Sequence, residues 1–160
     1  METDKPIRNT LRKAEKLRHK TLVDGVFAQG KSLYDFPLRV SYRVLSDDEL
    51  DGSFITGRPP HLGPVQMLIT VPKKKRRHAV DRVLMRRRIR EAYRLSRHAL
   101  KETVDSNPAI GTLSLAFIYI HNENCDYALV ERKMKRILTK IADRLEADCQ
   151  EADRQEEDCK

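Results

Sequence analysis

Between Lys73 and Arg97 the chain reads KKKRRHAVDRVLMRRRIREAYRLSR, with twelve lysines and arginines against two acids, Asp81 and Glu91. That stretch carries +10, while the whole 160-residue chain carries +8. From about Val80 it reads as a helix. At about 100° per residue, Arg82, Arg86, Arg87, Arg90, Arg94 and Arg97 fall within one arc roughly 140° wide. Leu84, Met85, Ile89, Ala92 and Leu95 fall mostly opposite. Such a helix can dock on a sheet and offer its other side to polyphosphate. Arginine suits that chemistry because its planar fork meets phosphate oxygens bidentately and never loses its charge. Solvated helix faces usually alternate signs as Glu–Lys pairs. Six like charges on one arc repel each other unless an anion compensates. Lys73, Lys74 and Lys75 extend the basic surface from a strand end into the helix.

The remaining reactive residues form no comparable constellation. Asp47, Glu49, Asp51 and Gly52 mimic the start of a calcium-binding loop, but position twelve is Arg58 where a bidentate glutamate is required. A two-metal nuclease centre on Asp47, Asp48 and Asp51 would lack fixed geometry in a loop. Cys125, Cys149 and Cys159 have no CxxC spacing and read as free thiols of a cytosolic protein. His19, His61, His78, His98 and His121 are scattered, so no zinc site is expected. No phosphate-cradling glycine loop or nucleophile elbow is present, and no catalytic residue is expected.

The elements that position the arginines form a single domain. Charged residues make up 35% of the chain and hydrophobic ones 39%, so the core is modest. Residues 1–100 hold 23 basic and 11 acidic side chains (+12), and residues 101–160 hold 9 and 13 (−4). A basic charge concentrated on one element is an electrostatic footprint for nucleic acid. No run of about 18 apolar residues could span a membrane, and the N-terminus lacks the apolar core of a signal peptide. The expected organisation is a polar, frayed N-terminus (1–16), an α+β domain (17–145) with a loop insertion (46–64), and an acidic tail (146–160). Within the domain, Leu17–Gln29 reads as a helix, with Gly30 after its end. Phe36–Leu45 alternates Leu38, Val40, Tyr42 and Val44 against Arg39, Ser41 and Arg43, a half-buried strand. Val65–Val71 and Thr112–Ile120 are apolar strands, and residues 101–110 read as a break. Asp126–Asp148 has an apolar stripe of core spacing, Val130, Met134, Ile137, Leu138, Ile141 and Leu145. The tail reads as disordered or as a frayed extension of that helix. Neither the insertion nor the tail shows a core-facing period, so both are expected to be dispensable for folding. The order gives a sandwich of one sheet and three helices, packed mainly on one side.

The arginine stretch resembles the signature of the bacterial ribonuclease P protein component, roughly A-V-x-R-N-R-x-K-R-x-x-R-E. Ala79, Val80, Arg82, Arg86, Arg87, Arg90 and Glu91 stand at matching positions, followed by Ala92-Tyr93-Arg94. Val83-Leu84 replaces the family's Asn-Arg pair. Leu17, Arg18, Lys20, Phe27, Gly30, Lys31 and Ser32 resemble the family's N-terminal pattern, with Val23 where a first aromatic is usual. The resemblance implies a fold similar to one ribosomal-protein domain. It also implies the protein subunit of ribonuclease P, an endoribonuclease that removes the 5′ leader of precursor tRNA. In that family the RNA subunit carries the catalysis and mainly holds the Mg²⁺. The implied partners are that RNA and precursor tRNA, with no membrane and no DNA, in the cytoplasm. Arg82, Arg86, Arg87, Arg90 and Arg94 with Lys73, Lys74 and Lys75 would bind the RNA subunit. A cleft between the first helix and the sheet would take the single-stranded leader, with Phe27, Tyr42 and Lys31 as candidates beside Lys73 and Lys74. For Phe27 and Tyr42, core packing is the competing role. Two other classes stand beside this one. A ribosome-associated or other structured-RNA binder of similar fold would have no processing role. A DNA-groove reader would need a second short helix across a tight turn, where strands flank this one.

Overall fold

The computed structural model describes residues 9–60 and 62–158. Four strands form one sheet: β1 (Lys31–Asp35), β2 (Leu38–Leu45), β3 (Val65–Thr70) and β4 (Thr112–Tyr119), in the order β1-β2-β4-β3. The helices are α1 (Lys20–Gln29), α2 (Asp47–Gly52), α3 (Ala79–Ser96), α4 (His98–Ser106) and α5 (Tyr127–Asp158). β2 pairs antiparallel with β1 and β4, whereas β3 runs parallel to β4. A parallel pair needs a long crossover, and α3 and α4 provide it.

Strand alternation sorts the two faces of the sheet. Leu38, Val40 and Tyr42 of β2 join Leu113, Leu115, Phe117 and Tyr119 of β4 in the main core. Met85, Ile89, Ala92 and Tyr93 of α3 close over it, with Leu100 and Val104 of α4 and the apolar stripe of α5. The opposite face carries Ser41, Arg43 and Ala116 and is covered at one end by α1. There Ser41 Oγ donates to the Val26 carbonyl at 2.9 Å. Leu17, Leu22, Val26, Leu45, Leu50 and Ala116 form a smaller second cluster on that side. The other end of this face, where Tyr34 pairs with Arg39 and Arg39 with Ile118, stays partly open.

Three of the five helices match the expected set, and α2 and α4 are additional. α4 occupies much of the expected break, burying Leu100 and Val104 one turn apart. α2 lies in the 46–64 insertion and is fixed by a capping box. Ser46 Oγ accepts from Glu49 N at 3.3 Å and Glu49 Oε2 from Ser46 N at 3.0 Å. Its Leu50 is only 1% exposed, so the insertion packs on the core. Helix α1 begins at Lys20 rather than Leu17, because Leu17 N donates to Met67 O at 2.9 Å along the β3 edge. β1 is an additional strand that the sequence reading did not expect, and the strand expected over Phe36–Leu45 is β2, beginning at Leu38. The acidic residues beyond 146 continue α5 as far as Asp158.

Residues 9–16 were expected to fray but form a strap, while residues 1–8 lie outside the described residues. The Asn9 and Thr10 carbonyls accept from Arg94 and Arg97, each at 3.0 Å. The Ala14 carbonyl accepts from Gly63 N at 3.1 Å. No helix among the described residues is long and apolar enough to cross a membrane.

Candidate nucleic-acid interface

Helix α3 presents fewer free arginines than its helical wheel suggests. Its buried face centres on Met85, Ile89, Ala92 and Tyr93, which puts Arg82 and Arg97 at the margin of the core rather than on an open arc. Arg97 is buried, ion-paired with Glu15. Arg82 Nη1 donates to the carbonyls of Arg77 (2.7 Å) and Arg76 (3.1 Å). Arg94 Nε donates to Glu91 Oε2 at 3.0 Å, and the same side chain holds Asn9. Arg88, outside the arc, donates to the Cys125 carbonyl. Among the described residues, Arg86, Arg87 and Arg90 make no hydrogen bond or ion pair, and they span about 100° of the helix. Val80 and Val83 are exposed along the same side. Glu91 is held below the usual carboxylate range by its hydrogen bond from Arg94, so it neutralises a neighbour rather than the free arginines.

The loop from Pro72 to His78 is built rather than loose. The Pro72 carbonyl accepts from Lys75 N and Arg76 N, both at 3.0 Å. Arg76 then bridges Asp81 at 3.0 Å and the carbonyl of Asn122. Asn124 Nδ2 donates to Asp81 Oδ1 at 3.0 Å. That bond, with Arg76 beside it, holds the Asp81 carboxyl below its ordinary range. Asp81 also sits in the first turn of α3, where a negative charge meets the positive end of the helix dipole. Lys73 and Lys74 remain exposed and Lys75 half-buried.

The three leader-binding candidates do not come together. Phe27 is 49% exposed on α1. Tyr42 is 2% exposed on the α5 side of the sheet, in the main core, with Arg144 Nη1 3.5 Å from its hydroxyl. No face of its ring is free for a base. Lys31 pairs with Tyr42 across β1 and β2 and so shares its side, where Nζ meets Asp148 Oδ2 at 3.2 Å. Pleat parity separates Tyr42 and Lys31 from α1. Two other residues stand on the α1 side instead. Tyr34 is 62% exposed, and the Arg39 guanidinium lies 5.2 Å from its ring centroid, a cation–π pair. The parity of Tyr34, opposite to Leu33, was the available signal.

The carboxylates of the insertion do not fit a metal. Arg58 Nε donates to Asp51 Oδ1 at 2.8 Å and its Nη2 to Asp47 Oδ1 at 3.0 Å. A guanidinium takes the place a cation would fill. Among the described residues, no three or more His, Cys, Asp or Glu side chains gather as metal ligands. The carboxylates of Asp47 and Asp51 are therefore not left open to Mg²⁺.

The fold is similar to that of the Staphylococcus aureus ribonuclease P protein, with a TM-score of 0.55 at 17% identity over 81% of this chain and 96% of that one. Curated relatives are closer in sequence. The ribonuclease P protein component of Porphyromonas gingivalis is 35% identical over 132 residues, covering 82% of this chain and 86% of the relative. That of Chlorobium phaeobacteroides is 31% identical over 138 residues, covering 83% and 88%. The family model described as Ribonuclease P matches residues 11–142, from the N-terminal strap through the first half of α5. With the arginine helix, basic loop and mixed sheet inside that match, the chain belongs to the ribonuclease P protein family, the protein component of a tRNA-processing endoribonuclease.

Proposed function

We propose that this chain docks on the RNA subunit of ribonuclease P through Arg86, Arg87 and Arg90 of α3, with Lys73, Lys74 and Lys75 beside them. The observation that carries the reading is the isolation of those three arginines. Their neighbours Arg82, Arg88, Arg94 and Arg97 are all engaged within the chain. Cations left without internal partners on one helix face favour a phosphate-rich surface read by backbone and shape. Arg82 and Arg94 then act indirectly, by fixing the loop and the strap around that face. The 5′ leader of precursor tRNA would lie beside α1, where Phe27 and Tyr34 offer rings and Arg39 a cation for a single strand. Mg²⁺ supplies the charge stabilisation for phosphodiester cleavage and belongs to the RNA subunit. This chain's residues position the two polyanions and offset their repulsion.

The test is cleavage of precursor tRNA by the protein, the RNA subunit, and both together across a Mg²⁺ series. The protein alone should cut nothing, and the pair should cut at the leader junction. The protein should matter most at low salt and low Mg²⁺, where free counterions do least. Mg²⁺-dependent cutting by RNA-free protein, abolished by Asp47→Ala or Asp51→Ala, would overturn the reading. Tight binding of structured RNA with no preference for a leader would favour a role outside tRNA processing.

A further inference from the structure

At the end of the sheet farthest from α1, an exposed phenylalanine on a half-buried histidine shares the sheet's edge with a basic loop. Phe36 forms the tip between β1 and β2, and its ring is 55% exposed. It rests on His121, with ring centroids 4.8 Å apart and planes tilted by 55°. His121 is held in turn. Its Nδ1 accepts from Asn122 N at 2.9 Å, and Tyr119 lies behind it at 6.5 Å between centroids. Tyr119 is anchored in the core and donates its hydroxyl proton to the Glu123 carbonyl. The Ile120 N–H donates to the Pro37 carbonyl at 2.9 Å, tying the Phe36 tip to the end of β4. On the other side of β4, Arg76 is bonded to the Asn122 carbonyl, bringing the Lys73–Lys75 loop against the same end. β2 and β3 both flank β4, so the strand ends that carry tip and loop are about 10 Å apart, two strand spacings.

An exposed phenylalanine at a turn contributes little to the core, yet its supports are fully assembled. Rigid rings flanked by lysines are the arrangement that binds single-stranded nucleic acid, with a base on the ring and phosphates on the cations. We propose that Phe36, backed by His121, is a stacking site for an unpaired RNA nucleotide, with Lys73 and Lys74 holding the adjoining phosphates. It rests on the RNA-binding role above and adds a contact point distinct from the arginine face and from Phe27. β1 separates Phe27 from Phe36 by about 16 Å, five residues of strand.

The chain contains no tryptophan, so Phe36→Trp introduces a single reporter at the site. The full-length variant is titrated with a 5′-labelled decamer of adenosines, following indole fluorescence and label anisotropy together. The control decamer has the same backbone with abasic sugars. The adenosine decamer should quench the indole by half or more, and the abasic control should bind without quenching. Phe36→Ala should weaken adenosine-decamer binding roughly 5- to 150-fold, the range for one lost stacked base. His121→Ala should weaken it less, because the upper ring remains. Phe36→Ala should keep the wild-type melting temperature, since that ring is exposed. Binding seen by anisotropy with unchanged indole emission, or wild-type affinity in Phe36→Ala, would overturn the site and leave the arginine face intact. Failure of the unmodified protein to bind either decamer or the RNA subunit would remove both readings.

Discussion

Replacing Arg86, Arg87 and Arg90 together by alanine separates RNA docking from folding. None of the three has an internal partner among the described residues, and their mutual repulsion is relieved by the change. The melting temperature should therefore hold or rise slightly. Each phosphate contact contributes roughly 0.7–0.9 to the slope of log affinity against log salt. Three contacts give a slope shallower by about 2–3 in the variant. From 50 to 200 mM salt, a fourfold rise, the affinity deficit of the variant should shrink by roughly 20- to 40-fold. The assay is filter binding or anisotropy with the RNA subunit at four or more salt concentrations, at fixed Mg²⁺. A deficit that stays constant across the series would refute the reasoning. The arginines would then be acting through shape or folding, and α3 would not be the phosphate-binding face.

Further outcomes follow from the internal ties. Arg97→Met should cost about 3–5 kcal/mol in denaturant unfolding, because Glu15 is left charged and buried without its partner; a loss under ~1 kcal/mol would show that water reaches the pair. Leu50→Ala should cost about 2 kcal/mol or more; an unchanged midpoint would mean that the insertion does not pack. Removing residues 148–160 should leave the melting temperature nearly unchanged, since the Lys31–Asp148 pair is exposed and such pairs are worth under ~1 kcal/mol. His98 is held below its ordinary pKa by burial, then by Arg97 and Lys101, while its Nε2 faces Asn9 Oδ1 at 2.8 Å. The unfolded chain takes up that proton first, so stability should fall as pH drops below about 6.5. His98→Gln should flatten that part of the profile in urea midpoints measured from pH 7.5 to 5.

The arginine helix was legible because its core residues and its charges follow one period. Which arginines stay free was not legible, since the partners of Arg94 and Arg97 are Asn9, Thr10 and Glu15, more than 80 positions away. Tyr42 shows a different limit. The alternation of Leu38, Val40, Tyr42 and Val44 already placed it among core residues, and a ring on that side could not also serve as a platform. α4 was hidden by Asn107-Pro108, although Leu100 and Val104 carry a helical spacing. The α2 capping box, Ser46 to Glu49, was written in the chain but masked by the surrounding acids, glycines and prolines. β1 has two buried positions, Leu33 and Asp35, and Asp35 is polar. Asp35 is met from α5 by Lys133 Nζ, 2.9 Å from its Oδ1, a contact that no local pattern announces.

Helix α5 gives the molecule a direction as well as a core. Its 32 residues extend about 48 Å, starting beside the first turns of α3, where Arg88 holds Cys125 and Asn124 holds Asp81. At its far end, residues 146–158 carry seven acids against one arginine, −6 in all. The protein is thus an electric dipole lying along α5, positive where the lysine loop and free arginines gather and negative at the opposite pole. In the field of a large polyanion such a body experiences a torque before it makes any contact. On the docking proposed above, encounters with the acidic pole leading would be turned away and the chain would reach RNA already oriented. The acidic extension of α5 would then act as a rudder.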